Sequence, residues 1–451
     1  MNRGPYTAWQ GCLIHTISFT EFQIFNNGLL IVDASGVITE LRELESSDQM
    51  EELKRQYSLQ EDQVNRLTET QFLIPGFIDG HTHAPQYPNL GIGLDLPLMD
   101  WLEKYTFPTE SKMKDTNVAT QTYTRFVDSL IKNGTTTACY FATMHLEATK
   151  VLAEIVSSRG QRAWIGKVNM DCNSPDFLRE TLEESLESTI AFIDFMKQER
   201  FTEAGLIEPA ITPRFVPTCS ERLLKGLGEI ASKHKLPIQS HLCENRQEIA
   251  FVKELFPNAD NYTGVYQQSG LLSRRTIMAH CVYLTPDEIQ KMAASGAAVA
   301  HCASSNFNLS SGVLDIKPLI NSGIRVCLGT DVSGGTSPSM LHAIRSALIA
   351  AQTTQINANA DVCNLDIMGA FFLATLGGAQ AMALDDKIGN FAPKKHFDAL
   401  VVDATEHADL LDLTAKDATK VDSALALLKK FLMTGDDRNI VNVFVKGRKI
   451  R

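Results

Sequence analysis

Between residues 71 and 389, short runs of β-branched and apolar residues alternate with longer segments whose apolar positions recur at helical spacing. That alternation predicts parallel strands joined by crossover helices. Eight strands are predicted, at Phe72–Asp79, Thr135–Phe141, Ala163–Met170, Leu206–Phe215, Pro237–Leu242, Thr276–Tyr283, Ala297–Cys302 and Ile324–Gly329. Helical periodicity falls between them at Val118–Lys132, Leu178–Lys197, Glu221–Lys233, Pro286–Ala294 and Pro338–Ala351. Strand–helix units repeated in this way predict an α/β fold, a (β/α)8 TIM-type barrel.

The flanks follow a different period. Residues 10–41 alternate apolar and polar positions, with turn signals at Asn27-Gly28 and Ser35-Gly36, and strand-like runs return at 397–402 and 440–450. A small β-sandwich domain built from both chain termini is therefore expected: residues 1–72, including a charged helix-prone connector at 41–67, and residues 391–451, flanking a barrel at 73–390.

The charged and sulfur-bearing residues narrow the class. The chain has 451 residues, 44% hydrophobic and 21% charged, as in a globular enzyme, and a formal net charge of −11. That balance disfavours a nucleic-acid partner, which needs clustered Lys and Arg. Nine cysteines, an odd number with no CxxC pair, point to a reducing compartment rather than a disulfide framework. The first twenty residues contain no continuous apolar segment, so a cytoplasmic chain with no membrane partner is expected. Two Asn-x-Ser/Thr matches, at Asn261 and Asn308, carry no weight without a secretory signal.

The predicted strand ends carry the chemistry. His81 and His83 follow the first run, and residues two apart on a strand share a face, so two imidazoles enter one space. Neutral imidazoles there can bind Zn²⁺, although HxH alone fits a pair of surface histidines equally well. His241 ends the fifth run with Glu244 three residues on, placed to act as a proton-transferring base or, more blandly, to begin a helix. Asp331 follows the eighth run and could complete a metal site or cap the next helix. The adjoining Gly334-Gly335 loop lacks the Lys of a phosphate-binding loop. His280 ends the sixth run, where it could orient a water or a substrate; His301 ends the seventh and reads as structural. His145-Leu-Glu147 supplies the H-x-E of the other zinc deaminase fold, but its CxxC partner is missing from the chain.

The ordered set Pro75-Gly-Phe-Ile-Asp-Gly-His81-Thr-His83, His241, His280 and Leu328-Gly-Thr-Asp331 resembles the amidohydrolase superfamily. The runs Leu94–Glu110, Ser240–Arg246 and Gly435–Asn439 are similar to its branch acting on guanine. The resemblance implies one zinc per chain on His81, His83, His241 and Asp331, and catalysis by Glu244, His280 and Asp331. It also implies substrate contacts from His83, Ala84, Pro85, Gln86, Arg214, Phe215, His241, Glu244 and Asp331. Pro85 and Ala303 depart from the other small residues expected at those positions. A small purine, guanine, would be hydrolysed to xanthine and ammonia, and a homodimer is implied. The fourth strand run lacks a Lys that could bridge two metals, leaving Lys167 on the third run as the exception. Two alternatives stay open: a relative acting on a cytosine, adenine-type or triazine ring, and a non-catalytic scaffold of the same fold. Iron could replace zinc on the same ligands.

Overall fold

Eight parallel strands, Phe77–His83, Thr135–Phe141, Arg162–Asn169, Ile207–Pro213, Ile238–Leu242, Thr276–His280, Ala298–His301 and Val326–Leu328, pair with their neighbours in chain order. They are drawn from a computed structural model that describes residues 6–202, 205–359, 365–405 and 421–451. The last strand returns to the first through Asp331 N–H to His81 C=O at 2.9 Å and His83 N–H to Val332 C=O at 3.1 Å. These bonds draw the barrel together at its C-terminal mouth. Ile78, Cys139, Trp164, Ile277, Ala298 and Cys327, from six of the strands, meet in one buried cluster along the axis. The barrel is thus a packed core, and each large side chain in it contributes about 1.5–3 kcal/mol.

The helices begin where side chains can satisfy their first N–H groups. Asp115 caps Thr116–Lys132 by accepting from Asn117 N at 2.8 Å, and Tyr123, Phe126, Val127 and Leu130 form its buried stripe. Leu182–Met196 starts later than its periodicity suggests, because Thr181 and Glu184 form a reciprocal capping box. The helix expected at Pro338–Ala351 runs instead from Met340 to Asn357. A crossover helix at Leu146–Arg159, ending on left-handed Gly160, was not evident from periodicity.

The predicted first strand proves to be two. Gln71–Pro75 belongs to a separate sheet and Phe77–His83 to the barrel, so His81 and His83 lie within the strand rather than after it. Pro75 has no N–H with which to continue a ladder. Gly76 then passes so close to the second barrel strand that a Cβ would lie 2.2 Å from Thr136 Oγ1.

The separate sheet is mixed and contains strands from both ends of the chain. Its order is Arg448–Lys449, Ile440–Val445, Ala399–Asp403, Gln71–Pro75, Tyr6–Thr16, Phe22–Asp33 and Ile38–Glu43, with Val64–Arg66 also beside Tyr6–Thr16. The two ends meet where Ile74 faces Leu400. Ser35-Gly36 is a turn, but Asn27-Gly28 is not: Gly28 lies inside a strand opposite Gly11. A Cβ there would come within 2.6 Å of Leu13, so close approach accounts for this glycine.

Candidate active site

His81, His83, His241 and Asp331 are all buried, and their ligand atoms lie within 4.8 Å of one another. His83 Nε2 is 3.1 Å from His81 Nε2 and 3.2 Å from His241 Nε2. Asp331 Oδ1 is 3.2 Å from His81 Nε2 and 3.3 Å from His83 Nε2. Ligands held at about 2.0–2.1 Å from a tetrahedral zinc lie about 3.3–3.4 Å apart, so these separations are close to the edges of such a site.

The protonation chemistry fits a cation as well. His241 Nδ1–H donates to Arg214 C=O at 2.5 Å, which leaves the Nε2 lone pair facing the cluster. Burial pushes His241 well below the usual imidazole range, helped by its neighbouring histidines, and takes His81 down to about 4. Burial works against ionisation of Asp331, yet the hydrogen bonds from His81 and His83 hold it well below the usual carboxylate range. The neutral imidazoles of His81 and His241 and the ionised oxygen of Asp331 therefore converge. Phe141 seals the floor, its ring centroid 4.7–4.9 Å from those of His81, His83 and His241.

Asp79 joins the strands that carry these ligands. It accepts from Thr330 N at 3.0 Å, Thr330 Oγ1 at 2.5 Å and His81 N at 3.2 Å. Thr330 Oγ1 also lies within hydrogen-bond distance of Thr82 Oγ1, at 2.9 Å, which ties the two strand ends together. A second group, His81, His280 and Cys302, also lies within ligand distance. It shares His81 with the first, and burial raises the Cys302 thiol far above its usual pKa, so it remains protonated.

Glu244 and His280 stand beside the cluster. His280 Nδ1–H donates to Asn306 Oδ1 at 2.9 Å, directing Nε2 toward Glu244 Oε2 at 3.6 Å and Asp331 Oδ2 at 3.8 Å. Burial raises Glu244 to about 7, with His280 opposing the shift. Burial would lower His280, but Glu244 and Asp331 outweigh it and leave its pKa raised. Ser311 Oγ–H donates to Glu244 Oε1 at 3.2 Å, orienting the carboxyl.

A cavity opens from the cluster, lined on its polar side by Gln86, Arg214, Glu244, His280 and Asp331. Its apolar wall includes Leu98, Trp101, Leu102, Phe215 and Leu309. Ala84 and Pro85 are buried in the turn that carries Gln86 and do not line the cavity. Gln86 Oε1 accepts from Ser333 N at 3.1 Å and its Nε2 donates to Glu110 at 2.8 Å, so the amide's orientation is set before any ligand arrives. Lys167 pairs with Glu180 and stands outside the metal group. His301 is taken to about 4 by burial, with a smaller push from His280, and also stays outside that group. Sequence reading assigned no role to Asp79, Glu110, Phe141, Asn306 or Ser311. Asp79 and Glu110 stood inside the motifs already noted, but nothing in their spacing marked what they touch.

A (β/α)8 barrel with three imidazoles and a carboxylate at its C-terminal mouth, beside a buried proton-transfer pair, has the construction of a metal-binding hydrolase barrel. The chain belongs to the amidohydrolase family, whose model matches residues 72–450. It is 43% identical to guanine deaminase of Dictyostelium discoideum, over 98% of each chain. It is also 41% identical to guanine deaminase of Homo sapiens, over 98% of this chain and 96% of that one. The solved structure of guanine deaminase from C. acetobutylicum with bound guanine superposes with a TM-score of 0.88 at 35% identity, covering 99% of this chain and 100% of that one.

Proposed function

We propose that this protein hydrolyses guanine to xanthine and ammonia. The observation carrying the reading is the convergence of His81, His83, His241 and Asp331 at the edge of a cavity that also holds Glu244 and His280. The similarity to guanine deaminases along nearly the whole chain supports guanine as the substrate. Zinc, one per chain, suits a set of three nitrogens and one oxygen. When bound there, such a cation supplies Lewis acidity that makes a water reactive near neutral pH.

The remaining work falls to the side chains. Water adds to C2 of the base, and the C2–N bond to the exocyclic amine then breaks. Glu244, titrating near 7, can take a proton from the water and return it to a ring nitrogen. His280 Nε2 lies between Glu244 and Asp331, where its N–H stabilises charge developing at the attacked carbon. Asp331 accepts a further proton, which leaves with the amine as ammonia. Arg214 and Gln86 supply N–H donors to the base, while Phe215 and the leucines of the wall cover its faces.

A panel of guanine, adenine, cytosine and amino-triazines, read by ammonia release, tests the substrate. Preference for a ring other than guanine would overturn that assignment, and purified protein without about one metal per chain would overturn the catalytic reading. We place the protein in the cytoplasm on its composition and on the eight cysteines that are free among the described residues. No helix among those residues is long and apolar enough to cross a membrane. A homodimer rests on family resemblance, and sedimentation of the purified chain tests it.

A further inference from the structure

Glu110 is a carboxylate on the short helix Phe107–Ser111, only 1% exposed and outside the cavity lining. Its two oxygens serve two different side chains. Oε1 accepts from Gln86 Nε2 at 2.8 Å and Oε2 accepts from Arg214 Nη1 at 2.6 Å. The Arg214 guanidinium also lies over the Phe107 ring, 5.1 Å from its centroid, so one helix holds it by charge and by its face. Gln86 is held from the other side, where Ser333 N–H donates to its Oε1.

Those bonds determine what the wall can offer a ligand. A guanidinium has no acceptor, and Glu110 engages one of its N–H groups while the others remain. Gln86 cannot turn its amide around without setting an NH₂ against Ser333 N–H and an oxygen against the Glu110 carboxylate. The cavity therefore meets its ligand with N–H groups along this wall, and the carboxylate that orients them is hidden behind.

We infer that Glu110 is a positioning residue that makes this wall selective for a ring carbonyl over a ring amine. The inference rests on the reading of this cavity as a purine site. In the Glu110→Gln variant one acceptor oxygen becomes a donor, so Gln86 or Arg214 must face it N–H to N–H unless Gln86 flips against Ser333. Either outcome removes the fixed donor pattern while leaving the four metal-binding residues untouched.

The test uses purified holoenzyme and two binding probes, hypoxanthine with a 6-carbonyl and adenine with a 6-amine, alongside guanine kinetics. A polar site discriminates strongly against a ligand that leaves its groups unpaired, so wild-type protein should prefer hypoxanthine by about tenfold or more. In E110Q the preference should shrink to within about threefold, the guanine KM should rise about tenfold or more, and kcat should change by less than about threefold. E110D keeps both acceptor oxygens and should fall between the two. An unchanged probe ratio in E110Q, a loss confined to kcat, or an E110D indistinguishable from E110Q would each overturn the inference. Wild-type protein that binds hypoxanthine selectively yet releases no ammonia from guanine would instead overturn the proposed reaction and leave the Glu110 assignment standing.

Discussion

Replacing Glu244 with Gln should cut turnover by about 10²-fold to 10⁴-fold and, in metal-stripped protein at alkaline pH, make the fold more stable. Burial raises the Glu244 pKa from 4.5 to about 7, which means that the folded protein resists its ionisation. A group whose pKa is raised on folding contributes stability that is present below the unfolded value and lost as pH rises through the folded one. Wild-type protein therefore carries a penalty above pH 7 that the neutral amide does not. A difference of about 2.5 pKa units at about 1.36 kcal/mol each gives about 3 kcal/mol at pH 8.5, falling to less than about 1 kcal/mol at pH 5. That figure already contains the attraction of His280, which opposes the shift. Unfolding entropy of about 2.1 cal/mol/K per residue over 451 residues makes 1 kcal/mol worth about 1 °C, so a rise of up to about 3 °C is expected. Scanning calorimetry of both proteins at the two pH values reads the difference. In parallel, metal-loaded E244Q should lose about 10²-fold to 10⁴-fold in kcat without losing metal. A variant that is less stable at pH 8.5, or stabilised equally at pH 5, would refute the argument that desolvation dominates this carboxyl.

Asp331→Ala should lose most of its bound metal on dialysis and at least about 10³-fold in activity, read by elemental analysis and ammonia release, since the site loses its one anionic ligand. The kcat/KM for guanine should fall about tenfold per unit as pH drops below about 7, where Glu244 takes up its proton and ceases to be a base. Phe141→Ala should cost about 3–5 kcal/mol in denaturant titration and weaken metal retention, because its fully buried ring supports three of the imidazoles.

How much of this was legible in the sequence follows from what one-dimensional patterns encode. The barrel strands are short apolar runs and several of their crossovers amphipathic, so period and order mark them, Leu146–Arg159 excepted. His81, His83, His241, His280 and Asp331 were visible because their side-chain types are informative at strand ends. Phe72–Asp79 was misread as one strand because hydrophobicity runs straight through Pro75-Gly76 while the backbone changes sheets there. Asn27-Gly28 was misread as a turn because a glycine admitted for close packing looks like one admitted for a turn. Glu110 was illegible for another reason: its partners Gln86 and Arg214 lie 24 and 104 residues away. A carboxylate inside a helical stretch carries no local mark of a contact that depends on tertiary structure.

The same distinction bears on why the ligands sit where strands stop. His280 and Asp331 both occupy the left-handed backbone region, at φ of 70° and 45°, as do Cys243 at 50° and Cys281 at 54°. Non-glycine residues in that region cost on the order of 1–3 kcal/mol each and persist only where surrounding bonds over-determine them. At Asp331 those bonds are its own N–H to His81 C=O, its C=O to Gly335 N–H at 2.7 Å, and the Asp79–Thr330 link immediately before it. At Cys281, next to His280, the backbone N–H bonds Leu242 C=O at 2.9 Å, linking the fifth and sixth strand ends. The bend at Asp331 brings a carboxylate from the eighth strand beside imidazoles carried by the first, which a regular strand ending at Leu328 would not do. Backbone strain at these strand ends is therefore offset by cross-strand hydrogen bonds, and the same bonds determine the spacing of the metal-binding groups. It follows that this spacing is tied to barrel closure itself.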